Sequence, residues 1–176
     1  MKIPIFLPLV TLIFIACGDQ NTNHNAESMA NETFVEVDTI PRVTGIGGIF
    51  FKADDPDEVK KWYSDNLGFS IDDYGSVFEF RNALRPEEIN YLNWDPFSDT
   101  TSYFNPSEKD FMINYRVQNI EGLVEKLKKN GVTILDEITT YEYGKFVHIM
   151  DMEGNKIELW EPEDSVLSEF GRETNK

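Results

Sequence analysis

Ile113-Asn114-Tyr115-Arg116-Val117-Gln118-Asn119-Ile120, residues 113–120, reads as a strand that runs straight into a helix start. After Asn119 the apolar residues Ile120, Leu123, Val124 and Leu127 recur at the spacing of one helix face, and Gly131 closes the turn. The same order stands earlier in the chain. Ile49-Phe50-Phe51-Lys52-Ala53 is strand-like, Asp54-Asp55-Pro56 opens a helix with proline in its first turn, Val59, Trp62, Tyr63 and Asn66 follow at helical spacing, and Gly68 ends it. Ala53 and Val117 differ by 64 positions, Val59 and Leu123 by 64, Gly68 and Gly131 by 63, and Trp94-Asp95-Pro96 answers Trp160-Glu161-Pro162 at 66. A period of that length met twice indicates two copies of one supersecondary unit.

Three further strands are expected behind each helix: Phe69–Tyr74, Ser76–Arg81 and Asn90–Asp95 in the first copy, Val132–Thr140, Tyr143–Met150 and Asn155–Glu161 in the second. The turns Tyr74-Gly75-Ser76 and Glu153-Gly154-Asn155 carry residues suited to tight reversal. The order is βαβββ twice. The expected class is α+β, with helices on the outer face of curved mixed sheets and a free concave side where a ligand would go.

The chain has 176 residues and 13 Phe, 7 Tyr and 3 Trp, too many aromatics for a chain that cannot bury enough apolar surface to fold. With 16 basic against 32 acidic residues its net charge is −16, a field that repels phosphate backbones, so no nucleic-acid partner is expected. One cysteine gives neither an internal disulfide nor a thiolate cluster.

The stretches Ile49–Pro56, Trp62-Tyr63, Asn66–Phe69, Phe111–Val117 and above all Asp151-Met152-Glu153-Gly154-Asn155-Lys156-Ile157-Glu158-Leu159-Trp160 resemble the vicinal oxygen chelate superfamily of glyoxalase I, extradiol dioxygenases and bleomycin-resistance proteins. The resemblance spans about Val43 to Pro162. It implies paired βαβββ modules, about 43–97 and 110–162 within a domain of residues 42–162, wrapped around a cavity that often holds a divalent metal. Carried onto this chain, the metal positions fall on Gly48, Leu92, Met112 and Glu158, of which only Glu158 can ligate a hard cation. One carboxylate is short of the roughly three protein ligands of a catalytic zinc. No metal and no cofactor is therefore expected.

Strand alternation then places Phe50, Trp94, Asn114, Phe146 and Trp160 on the inward face with Met112, either lining a small-molecule site or filling the interior as core. His148 and Glu158 are expected as cross-strand neighbours across the Glu153-Gly154 hairpin. Such a pair is either a metal-free acid–base couple or a buried structural pair. A slip of one residue would send His148 to the opposite face. Arg116, Lys52 and Asn114 either bind an anionic or carbonyl ligand or are rim and solvated residues, the second being the expectation. The acidic residues Asp54, Asp55, Asp57 and Glu58 complement a helix N-terminus.

Residues 1–17 read as an export signal: Met1-Lys2, then an uncharged run from Ile3 to Ala16, within the usual h-region length of about 7 to 15 residues. The sequence Phe14-Ile15-Ala16-Cys17-Gly18 resembles the lipobox of bacterial lipoproteins, which implies acylation of Cys17. Loss of Lys2 with the signal leaves the remainder one charge more negative. Residues 18–41 read as a polar tether and residues 163–176 as a polar tail that either packs a short helix or stays mobile. The expected protein is held in the cell envelope through Cys17, facing the periplasm or the cell surface and towards the outer membrane. It binds a small organic molecule without metal. Lyase or isomerase chemistry by His148 and Glu158 is one alternative, and a purely structural or interaction lipoprotein is another. A homodimer is compatible with two modules.

Overall fold

The computed structural model describes residues 38–176; the export signal, Cys17 and the tether up to residue 37 lie outside the described residues. The first module consists of β1 (Arg42–Ala53), α1 (Pro56–Leu67), β2 (Ile71–Asp72), β3 (Gly75–Arg81) and β4 (Ile89–Ser98). The second consists of β5 (Phe111–Gln118), α2 (Ile120–Lys129), β6 (Thr133–Ile134), β7 (Thr139–Tyr141), β8 (Gly144–Met150) and β9 (Lys156–Pro162), followed by α3 (Asp164–Glu169). One mixed sheet runs in the order β2-β3-β4-β1-β5-β9-β8-β6, with β7 paired to β8. In each module the first and last strands are parallel neighbours, and the modules join where β1 meets β5 antiparallel.

The helices start where the sequence supplies caps. The Asp55 side chain accepts the backbone N–H groups of Asp57 and Glu58, Pro56 takes the first turn, and Gly68 ends α1 at φ 73°. Asn119 caps α2 by accepting the N–H of Gly122, and Lys126, Lys128 and Lys129 crowd its last turn, where cations suit the helix dipole. Ile120, Leu123 and Val124 of α2 pack against Val117, Val147, Ile149 and Leu159 to form the core of the second module on the outer face.

The long β1 is bulged between Val43 and Gly45 and again between Ile46 and Gly48. Glycine is required there because the two halves press together. An added Cβ on Gly47 would lie 2.2 Å from the Asn114 Oδ1 and 2.7 Å from the Trp160 ring, and one on Gly48 3.2 Å from the Asn114 Cβ across the seam and 2.6 Å from the Phe50 ring of its own strand.

The strand expected over Val132–Thr140 is broken in two. The Leu135 N–H still donates to the His148 carbonyl, but the side chain of Asp136 accepts the His148 N–H and so takes the place of a ladder bond. The tail is ordered onto the domain. After α3 it crosses the concave side as a strap, on which Arg172 donates two hydrogen bonds to the Asp72 carboxylate at 2.6 and 2.8 Å. The backbone of Asn175 then bonds Val77 and Glu79 on β3. The last residues assigned to the tether are also held: Gln118 donates to the carbonyls of Asp38 and Ile40, and Asn119 to that of Thr39.

Candidate functional site

A cavity of about 650 Å³ lies on the concave side. Tyr91, Asn93, Asp95 and Phe97 of β4 line it, as every second residue of a strand must. Val77 and Glu79 of β3, Phe50 of β1, and Tyr103 from the β4–β5 connection add to this wall, and the second module contributes Tyr143 and Glu158. Leu167 of α3 and Phe170, Arg172 and Thr174 of the strap cover it.

The inward residues of β4 are the odd-numbered ones, and this corrects two sequence-based expectations. Trp94 lies on the outer face, 7% exposed, with its ring centroid 4.5 Å from that of Tyr63, 5.3 Å from Phe69 and 5.4 Å from Phe51. It is core beneath α1 and lines no ligand site. Leu92 shares that outward parity. Phe50 pairs with Asp95 as Asn114 pairs with Glu158, so the counterpart of Glu158 in the first module is Asp95, 63 positions earlier. The offset of 66 suggested by the two Trp-acid-Pro motifs is three residues too long, and an odd slip exchanges the faces of a strand.

Phe50 does line the cavity. Phe146 and Trp160 are cross-strand partners stacked on each other at 5.7 Å, and Trp160 is fully buried with its indole N–H donated to the Tyr143 carbonyl. Met112 and Asn114 are likewise buried. These four pack the second half of the concave face instead of leaving it open. Arg116, expected at the rim, is buried too: it donates to the Tyr91 carbonyl and pairs with Asp164, and its guanidinium lies 5.2 Å from the Trp160 ring. It binds α3 to both modules. Lys52 pairs with exposed Asp110 at 3.7 Å.

His148 and Glu158 are register partners on β8 and β9 and hydrogen-bond at 3.0 Å between Nε2 and Oε2. The other ring nitrogen, Nδ1, meets the Asp136 carboxylate at 2.6 Å. Glu158 also accepts from the Asn114 amide at 2.7 Å and from the Tyr103 hydroxyl. Burial alone would push the Glu158 carboxyl up, but these three donors outweigh it and hold it below its usual range. Burial opposes the imidazolium as well. The two carboxylates beside His148 prevail and raise its pKa. Burial pushes the Tyr103 phenol well above its ordinary value, and the charge of Glu158 adds to this, so the hydroxyl remains a donor. A chain Asp136–His148–Glu158–Tyr103 thus runs from a surface carboxylate to the cavity wall. Asp136 and Tyr103 lie in stretches without motif or periodicity, and nothing in the sequence singles them out. Asp95 was legible only through the true pairing of β4 with β1.

A divalent metal, which the fold resemblance implies, does not fit these residues. With Asp95 in place of Leu92, the four repeat-related positions are Gly48, Asp95, Met112 and Glu158. The lone pairs of Glu158 face Asn114, Tyr103 and His148, the space beside Gly48 is taken by the Phe50 ring, and Met112 offers a thioether. Asp95 is left as a lone carboxylate, short of the roughly three ligands a catalytic metal needs. Among the described residues no group of three His, Cys, Asp or Glu side chains is arranged to hold a metal ion, and both ring nitrogens of His148 are taken up by Asp136 and Glu158.

Residues 39–159 match the family model described as the glyoxalase/bleomycin resistance protein/dioxygenase superfamily. No curated protein matches the chain. Among solved structures, the fold is similar to that of Streptomyces coelicolor methylmalonyl-CoA epimerase in complex with 2-nitronate-propionyl-CoA, with TM-score 0.52, 15% identity, and coverage of 69% of this chain and 99% of that one. A methylmalonyl-CoA epimerase in complex with methylmalonyl-CoA and ammonium gives TM-score 0.51 at 14% identity, covering 76% and 100%. At these identities the likeness is one of fold.

Proposed function

The chain belongs to the glyoxalase/bleomycin resistance protein/dioxygenase superfamily, and on that premise we propose that it is an exported, lipid-anchored member that binds a small organic molecule between its modules without a metal. One observation carries the binding reading. The concave side retains about 650 Å³ of space, walled by aromatic rings and a few polar groups and covered by the strap, which is the usual form of a small-molecule site. Family membership alone names no activity. Among the described residues no side-chain set fits a metal, which supports binding without one.

A ligand that occupies the native cavity stabilises the fold by mass action. A thermal-shift screen of small aromatic and heterocyclic compounds is expected to yield saturable rises in melting temperature that vanish in Phe97→Ala. A flat screen favours the structural-lipoprotein reading.

A second reading, lyase or isomerase chemistry by His148 and Glu158, is favoured by one feature: Glu158 and Tyr103 both reach the cavity wall. In that reading Glu158 and His148 move a proton at a substrate carbon or oxygen, and Asp136 fixes the imidazole. Turnover that persists in both His148→Ala and Glu158→Gln would remove it.

The anchor reading rests on the uncharged run from Ile3 to Ala16 followed by the sole cysteine, Cys17. Membrane-fraction protein is expected to move to the soluble fraction in Cys17→Ser and to lose the mass of its acyl chains. Retention of that mass contradicts the anchor.

A further inference from the structure

The two modules are built alike, yet their equivalent inward carboxylates are treated oppositely. Glu158 is flanked by Asn114 on β5 and His148 on β8, both donors to it. At Asp95 the corresponding neighbours are Phe50 on β1 and Gly75 on β3, where an added Cβ would stand 3.1 Å from the Asp95 Cα. Neither neighbour has a side-chain donor. No hydrogen bond from the described residues acts on the Asp95 carboxyl, which burial pushes up to about 6.

The nearby charges are already engaged. Arg172 is fixed to Asp72 and to Asn93, and Lys60 donates to the Asp73 carbonyl. These three, Lys60, Arg172 and Asp72, are the charged groups that act on Asp95 from α1, the strap and β2. The carboxylate lines the cavity together with the rings of Tyr74, Tyr91 and Phe97. A half-buried carboxylate without a donor, set among aromatic faces, suits a ligand that brings its own N–H cation and an apolar body.

We propose that Asp95 is the recognition carboxylate of the cavity and that it takes a protonated primary or secondary amine carried on an aromatic or apolar body. This rests on the cavity reading given above and specifies its ligand class. The ammonium donates to Asp95, and the body lies against the aromatic wall beneath the strap. Strap residues 163–176 cover this site and lie beyond the family match of residues 39–159.

The test uses benzylamine, with benzyl alcohol and benzoate as controls of equal size, titrated calorimetrically into the purified protein. Benzylamine is expected to bind about tenfold or more tighter than either control at pH 7.5, and about tenfold more weakly at pH 5, where most of the Asp95 carboxyl is protonated. In Asp95→Asn the amine preference disappears. Because the raised pKa means that the folded state disfavours the ionised form, the ligand-free variant should melt higher than wild type at pH 7.5, by a margin that shrinks as pH falls through about 6 and closes below 3.8. An amine preference that survives in Asp95→Asn, or controls that bind as tightly as the amine, overturns the assignment while the cavity reading stands. If none of the three binds, the assignment falls and the wider screen decides the cavity reading separately.

Discussion

Trp94→Ala is expected to destabilise the protein by about 3 to 5 kcal/mol, the range for deleting a large aromatic side chain from a packed core. Its ring touches Phe51 of β1, Tyr63 of α1 and Phe69 beyond the helix, so one side chain ties three parts of the first module together. No residue of α1 is itself fully buried, which leaves this aromatic cluster as the main attachment of the helix to the sheet. Trp94→Phe should cost less, since a ring remains for Tyr63. Urea unfolding followed at equilibrium measures both. A loss below about 1 kcal/mol in Trp94→Ala would mean that the residue does not pack beneath α1.

Glu158→Ala is expected to cost a similar amount, about 3 to 5 kcal/mol, for a different reason. Removing the carboxylate leaves the Asn114 amide, the Tyr103 hydroxyl and the His148 imidazole without their common acceptor in a buried place. The milder Glu158→Gln keeps the shape and removes the charge, so its signature lies in pH dependence. His148 has a raised pKa in the folded state, so its contribution to stability is complete below the ordinary histidine value of about 6.5 and is lost as pH rises through the folded value. Glu158 has a lowered pKa, so its contribution is complete above about 4.5 and is lost as pH falls through the folded value. Melting temperature should therefore decline as pH is raised past neutrality in wild type, and Glu158→Gln should flatten that decline. An unchanged decline in the variant would separate His148 from Glu158.

Most of the architecture could be read from the sequence because it is written in local signals. Asp55-Pro56 and Gly68 bound α1, Asn119 caps α2, and the repeat spacing of 63 to 64 pairs the modules. The His148–Glu158 contact was also legible, since the hairpin at Glu153-Gly154 fixes the register of β8 against β9. The inward face of β4 was not. Trp94 and Trp160 look like counterparts in sequence, but β4 takes its register from β1 in a parallel pairing that no turn specifies, and in space Trp94 corresponds to Ile157 on the outer face. Tyr103, Asp136 and Arg172 were out of reach for another reason. Each acts through a partner distant in sequence, 55, 12 and 100 residues away, and a single sequence carries no trace of such a contact.

Whether the space between the modules takes a small organic molecule is decided by protein-observed NMR during titration with small amines and their neutral analogues. Saturable shifts are expected, confined to the backbone amides of Val77, Glu79, Asn93 and Asp95, of Tyr103 and of Phe170 to Thr174, with the outer faces of α1 and α2 undisturbed. Shifts that centre on the outer face, or spectra unchanged at millimolar concentrations of every compound, would contradict it.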